Sequence, residues 1–318
     1  MIDLDWDEVE TPPGKGDVPP RPRRRGRWLP YVLVAPALAT LVVMLGWPLV
    51  RLVQLSLQRF GLRQQFGAPA EWVGLDNFAT IFGDDEFWRV LVRTLVLCAV
   101  TVVLTMTIGV LIALLMERLG RAMRLAVSVA LLLAWAMPGL AATVVWQWLF
   151  DTQYGLINWL LTTLRIGEFQ GHSWLSAPLS FFAVATVIVV WMGVPFVAFT
   201  TYAGLTQVPS DIVEAAHIDG ANAWQIFRNV TVPMIRPILY VLTALSVLWD
   251  VRVFTQIYVL QKAGGLTRET NVLGVYAYRV SFGENRFDVG AAVAIVTVGV
   301  TLVLTAAHLR QMLKQVDG

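Results

Sequence analysis

Glu214-Ala215-Ala216-His217-Ile218-Asp219-Gly220, followed after nine residues by Val230-Thr231-Val232-Pro233, is a polar insert between two long apolar runs. The spacing predicts a short helix, a glycine turn, a second short helix and a proline that opens the next run. Pro209 is followed by Ser210 and Asp211, good capping residues for a helix over 212–218. Gly220 can take the positive φ that ends such a helix. Residues 221–229 can form the second helix, and Pro233 suits the start of the run that follows. Small Ala215 and Ala216 let a partner surface approach closely, and Glu214 offers a carboxylate that a partner arginine could grip. An ordinary amphipathic linker helix is the plainer alternative.

The runs on either side are too apolar for a soluble domain. Of 318 residues, 57% are hydrophobic and 14% charged, with a mean hydropathy of +0.64. A folded surface could not hide that much apolar area. The apolar residues also come in blocks, and a block of about 20 crosses a bilayer. Six blocks are expected as spans, at 29–53, 90–116, 124–148, 179–205, 235–260 and 288–308. Backbone groups in lipid must be satisfied within a segment, so these spans are helices and the fold class is all-α. The single cysteine, Cys98, falls inside the second span, where it reads as a small apolar residue. A net charge of +2 is too small to suggest nucleic acid.

Residues 1–27 are rich in Pro, Gly and charge, and are expected to be a disordered cytosolic head. They end in Arg21, Arg23, Arg24, Arg25 and Arg27. Ala35-Pro36-Ala37 loosely resembles a signal cleavage site, but it lies near the start of the apolar run and five more spans follow, so an uncleaved anchor is expected. The arginines put the N-terminus in the cytosol by the positive-inside rule. Six spans return the C-terminus there, with Arg310 and Lys314. The loop 117–123, with Arg118 and Arg121, and the insert around Glu214, with Arg228 and Arg236, then also face the cytosol. The outer segments 55–88, 149–178 and 261–287 carry basic residues too, and the first offsets its own with acids from Glu71 to Glu86. Their aromatics, among them Trp72, Trp88, Trp159 and Tyr276, suit the membrane interface. The organisation expected is a head over 1–27, a membrane domain over 28–312 containing the polar insert at 208–233, and a tail over 313–318.

Two kinds of signal locate a transport site. Transport sites tend to lie near the midplane where helices are interrupted. Pro138-Gly139 interrupts the third span, and Gly193 with Pro195 the fourth. These prolines would leave the carbonyls of Ala134 and Trp191 without their usual donors. A simple kink or a close helix contact is the alternative. The second signal is charge. Asp250 and Arg252 lie deep in the fifth span, and a charge at mid-membrane normally faces a bundle interior or a water-filled path. Two residues apart, they do not face each other on a helix. Ser246, Asp250 and Val253 share a face. An ion pair locking helices together is the alternative.

The spacing Glu214-Ala215-Ala216-x3-Gly220-x9-Val230-x-Val232-Pro233 resembles the EAA-x3-G-x9-I-x-LP signature of permease subunits of binding-protein-dependent ABC importers, with Val230 and Val232 in place of Ile and Leu. The chain is similar to carbohydrate-type members also at Val73-Gly74-Leu75-Asp76-Asn77-Phe78, Trp191-x-Gly193-x-Pro195 and Gly264-Gly265, and the resemblance covers roughly residues 28–312. Among paired permeases it resembles the maltose- and glycerol-phosphate-type partner. The resemblance implies a polytopic type I importer fold in the plasma membrane, with Glu214, Ala215, Ala216, Asp219, Gly220 and Pro233 coupling it to an ATPase. It implies a second permease, two ATPase copies that bind ATP and Mg, and an extracytoplasmic solute-binding protein. It also implies sugar contacts at Trp135 and Gly139, at Gly193 and Phe196, and at Ser246, Asp250 and Val253. Asp250 and Val253 replace asparagines, Phe196 and Trp135 replace tyrosines, and Gly139 replaces a serine. The resemblance thus implies the location, while these substitutions put maltose itself in doubt. Trp135 and Phe196 offer faces for a sugar ring, and Asp250 accepts from sugar hydroxyls.

The function implied is import of an oligosaccharide or disaccharide, with a glycerol-phosphate-type or other polar solute as the alternative. The chain has no G-x-x-x-x-G-K-[ST] loop, so energy must come from a partner. A multi-span membrane enzyme would need clustered ionisable groups, yet His172, His217 and His308 are scattered and have no metal-ligand spacing. A non-ABC carrier would transport without ATPase partners.

Overall fold

The computed structural model describes residues 29–316, and side chains from 31 to 310. The expected head over 1–27 with its arginine cluster, and the last residues of the tail, lie outside the described residues. The chain divides into residues 1–51 and 52–318. Helix α1 (Leu29–Leu41) passes through a turn of π-helix at Val42–Gly46 into α2 (Trp47–Ser56). No side chain between Tyr31 and Val50 is buried.

In the second unit, β1 (Gln58–Arg59) pairs antiparallel with β2 (Glu71–Trp72) across the short α3 (Leu62–Gln65). Helices α4 (Asp76–Phe82) and α5 (Asp85–Arg118) follow. Helix α5 starts where it does because the Glu86 N–H donates to Asp84 Oδ1 at 2.8 Å, and acids fill its first turn. At its end, Arg124 donates from Nε to Met116 O (2.9 Å) and from a terminal nitrogen to Leu119 O (2.8 Å), satisfying carbonyls the helix leaves open.

The expected continuous span 124–148 is instead two helices, α6 (Arg121–Ala136) and α7 (Gly139–Leu149), bent by 103°. Pro138 donates nothing and pushes Met137 out of the helical region, so the chain turns there. The Ala134 carbonyl still finds a donor in the Met137 N–H, at 3.4 Å. After α8 (Leu156–Thr163), α9 (Pro178–Leu205) runs unbroken through Pro195, so the second expected interruption does not occur. Helix α9 lies along α5, and two glycines let it approach. A Cβ on Gly109 would meet Val197 Cγ1 at 2.5 Å, and one on Gly193 would meet Thr105 Cγ2 at 2.9 Å. Small residues at membrane helix contacts serve this purpose.

Helix α10 (Ser210–Ile218) begins two residues before its expected start. The second short helix, expected over 221–229, is α11 (Ala223–Ile226), and a π turn at Phe227–Thr231 carries it straight into α12 (Val232–Asp250). Pro233 therefore does not open a new helix. The π turn, in which the Val232 N–H reaches back five residues to Phe227 O, relaxes the crowding a proline causes. The expected span 235–260 is also interrupted: α12 stops at Asp250 and α13 (Thr255–Lys262) resumes after four residues. Then come α14 (Thr267–Thr270), α15 (Leu273–Tyr278) with a π turn at Arg279–Gly283, and α16 (Phe287–Val316). Five helical stretches are long and apolar enough to cross a membrane, or six with the bent α6–α7 pair as one span.

Helix α12 packs against α5, α9 and α16. One apolar core joins Phe181 and Ile188 of α9 to Ile257 and Leu260 of α13, and another joins Ile81 and Phe87 to Leu273 and Val293. Cys98 is buried and free. Beside the second core, buried Glu86 accepts from Arg279 at 2.6 Å and from Arg268 at 3.2 Å. The Tyr276 hydroxyl donates to Asp84 Oδ2 at 3.1 Å. Burial, and then the Asp84 carboxylate, push that hydroxyl well above its usual pKa, so it remains a donor.

Candidate functional site

Two broken segments meet in this fold. The break after Asp250 lies beside the break at Pro138, because α13 packs against α7. Between them is a cavity of about 390 Å³, a size usual for ligand sites. Trp135 of α6, Gly193 and Phe196 of α9, Asp250 at the end of α12 and Val253 in the break all line it. Sequence reasoning named these five. Of its other two residues, Gly139 borders the cavity: a Cβ there would meet Met192 Cε at 3.1 Å and Gln256 Nε2 at 3.7 Å, both in cavity-lining residues. Ser246 is buried one turn before Asp250 and does not line it.

With Arg252 also in its wall, the cavity has Asp250 as its acid. Its Oδ2 is buried and has no hydrogen-bond partner. Among the described residues it makes no ion pair, and Arg252 donates from Nε to Leu248 O at 2.9 Å instead. As expected from their spacing, the two do not pair. The nearby Thr101 hydroxyl of α5 donates back to its own helix, to Leu97 O at 2.9 Å. A carboxylate held this way can accept hydrogen bonds from a solute. Around it, Phe196 packs edge-on against Trp249, with centroids 5.1 Å apart, and the Trp135 side chain is exposed.

Sequence reasoning missed Met192, Trp249 and Gln256. Gln256 Nε2 donates to Met192 Sδ at 3.3 Å across the cavity wall. A polar amide six residues beyond Asp250, in an otherwise apolar run, was the available signal. Met192 and Trp249 carry none, since each is an ordinary residue of an apolar helix.

The α10–α11 segment forms a second surface. Gly220 takes φ +80°, as a glycine stop requires. Asn222 and Gln225 close a reciprocal cap: the Gln225 N–H donates to Asn222 Oδ1 (3.0 Å) and the Asn222 N–H to Gln225 Oε1 (2.8 Å). Glu214, Ala215, Asp219, Gly220 and Pro233 are exposed, and Ala216 is half-buried. Ile218 is 86% exposed and Trp224 64%, one on each side of Gly220. Two large apolar side chains are thus left open on a short polar turn. Both were visible in the sequence and neither was singled out. Behind the segment, Glu214 and His217 line a cavity of about 960 Å³ shared with Glu117 and Arg118 of α5 and Thr243 of α12. No group of three or more acids, histidines or cysteines is placed to hold a metal among the described residues.

Residues 105–314 match the family described as binding-protein-dependent transport system inner membrane component. The diacetylchitobiose uptake system permease protein DasB of Streptomyces coelicolor is 46% identical over 292 residues, covering 92% of this chain and 89% of that protein. The trehalose/maltose transport system permease protein MalF of Thermococcus litoralis is 32% identical over 286 residues, covering 89% and 92%. Among solved structures, a bacterial ABC transporter involved in the import of the acidic polysaccharide alginate shares the fold, with a TM-score of 0.76 over 90% of this chain and 96% of that one at 23% identity.

Proposed function

The chain belongs to the inner membrane components of binding-protein-dependent transport systems, and we propose that it is the permease subunit through which a carbohydrate passes in an ABC importer. The observation that carries the solute path is Asp250: a carboxylate without a cationic partner, facing an aromatic-walled cavity where two spans are broken. Intramembrane carboxylates are costly and mark solute or ion paths. Sugar hydroxyls donate to a carboxylate, and the C–H face of a sugar ring packs on Trp135 and Phe196. A phosphorylated solute would meet the Asp250 carboxylate, while Arg252, bound through Nε to Leu248 O, also lines the cavity. The carboxylate, together with the diacetylchitobiose and trehalose/maltose relatives, favours a neutral carbohydrate over a glycerol-phosphate-type solute. Diacetylchitobiose, which names the 46%-identical relative, is the sugar to test first.

The exposed α10–α11 segment suits docking to an ATPase that binds ATP and Mg, with Glu214 meeting an arginine of that partner and Ile218 and Trp224 covered by it. A second permease, two ATPase copies and an extracytoplasmic solute-binding protein complete the assembly. In that assembly, ATP-driven movement of the segment turns α12, which leads from it directly to Asp250, and opens the cavity outward and then inward. Both termini face the cytosol.

The test is Asp250→Ala in the complete complex. Loss of a hydrogen bond at such a site costs about 1–3 kcal/mol, roughly ten- to a hundredfold in affinity. Uptake into proteoliposomes is expected to fall while complex yield and basal ATP hydrolysis hold. Poor yield, or normal uptake at good yield, removes the solute role.

A further inference from the structure

Beyond Asp250, a line of aromatic rings leaves the cavity in the direction away from the α10–α11 segment. Asp250, Phe254, Tyr258 and Lys262 follow one another at four-residue intervals. Phe254 lines the cavity, and its ring stacks on Tyr258 with centroids 5.4 Å apart and planes at 13°. Tyr258 in turn meets Tyr278 edge-on at 5.4 Å, and Tyr278 meets Phe282 at 5.0 Å. Tyr258, Tyr278 and Phe282 line a second recess of about 300 Å³, together with Lys262 and Arg279.

The recess is polar as well as aromatic. The Lys262 ammonium sits 5.5 Å above the Tyr258 ring and makes no ion pair among the described residues. Arg279, in the wall of the recess, is held by Glu86, to which it donates at 2.6 Å, with Glu284 Oε1 3.9 Å from its Nε. Lys262 is exposed and is the cation of the recess open to an arriving molecule. Phe282 is 62% exposed, so its ring is open to an arriving molecule. Aromatic faces beside an exposed ammonium suit a saccharide: C–H faces stack on the rings, while ring, hydroxyl or acetamido oxygens accept from Lys262.

We propose that the Tyr258–Tyr278–Phe282 recess is a second saccharide subsite, which receives the sugar before the Asp250 cavity and hands it inward along Phe254. The inference rests on the carbohydrate reading given above. A hand-over site changes how much sugar moves per turnover, whereas a docking or assembly role changes turnover or yield.

The experiment uses the full complex with its solute-binding protein in proteoliposomes, and a panel of glucose- and N-acetylglucosamine-based disaccharides that includes diacetylchitobiose. Tyr278→Ala and exposed Phe282→Ala are each expected to lower uptake about tenfold, the size of one lost stacking contact. Tyr278→Phe is expected to keep most of it. Complex yield and binding-protein-stimulated ATP hydrolysis should hold, so the sugar moved per ATP falls. The subsite is overturned by normal uptake in both alanine variants. It is also overturned if stimulated ATP hydrolysis falls in step with uptake, or if both variants lose yield. Asp250→Ala, run beside them, keeps the readings apart: reduced uptake there with normal uptake in the Tyr278 and Phe282 variants removes the outer subsite alone. No uptake of any panel member by the unsubstituted complex fails the carbohydrate reading and the subsite with it.

Discussion

At the scale of single residues, Asp250 does two jobs that can be separated. It is a hydrogen-bond acceptor and it is a negative charge. Asparagine keeps an acceptor and removes the charge. If a neutral carbohydrate uses Asp250, Asp250→Asn should lose less than the alanine variant, about three- to tenfold in apparent KM for uptake. A loss as deep as that of alanine would mean that charge itself is required, and would point to a cationic solute. Asp250 could be read from sequence because an unpaired charge in an apolar run is expensive wherever it points. Ser246 could not be placed the same way. Counting along an uninterrupted helix puts it on the Asp250 face, but the helix ends just past Asp250 and the cavity opens toward the break, leaving Ser246 buried a turn behind. Gly193 shows a limit of another kind: it admits Thr105 of α5, the close helix contact open at that position, and it also lines the cavity.

Elements show why equal signals had unequal outcomes. Pro138 and Pro195 read alike as interruptions, yet only the first breaks its helix. Pro195 is buried, and α9 is held along its length by α5 and along part of it by α12, which keep it straight. Pro138 is exposed, and the chain turns there so that α7 can pack on α13. That choice is tertiary and no local pattern contains it. The α10–α11 segment was more legible because its signals are local: Gly220 must take positive φ, and Asn222 must cap. Its continuity with α12 was not, since a π turn leaves no mark in composition. At this scale the expected outcome of Glu214→Lys is a chain that inserts normally but co-purifies with less ATPase, because a repelling cation replaces a carboxylate. Unchanged co-purification together with normal uptake would take Glu214 out of the coupling surface.

In the whole molecule, the two surfaces described within residues 52–318 lie at opposite ends of one route. Helix α12 starts at the α10–α11 segment and ends at the cavity, and α13 continues past it. The proposed orientation gives this route its direction: by the positive-inside rule, Arg118, Arg121, Arg228 and Arg236 are expected on the cytosolic side. A cysteine at Gln225 should react with an impermeant thiol reagent only from the cytosolic side, and one at Ala263 only from outside; buried Cys98 gives no background. The opposite labelling pattern would invert the route. The central claim is that this chain conducts a carbohydrate only when ATPase partners move it. Uptake of diacetylchitobiose should be measured in proteoliposomes that contain both permeases and the solute-binding protein, with and without the ATPase subunits, at fixed ATP. The account predicts uptake with the ATPases and none without them, while equal uptake in both preparations would contradict it.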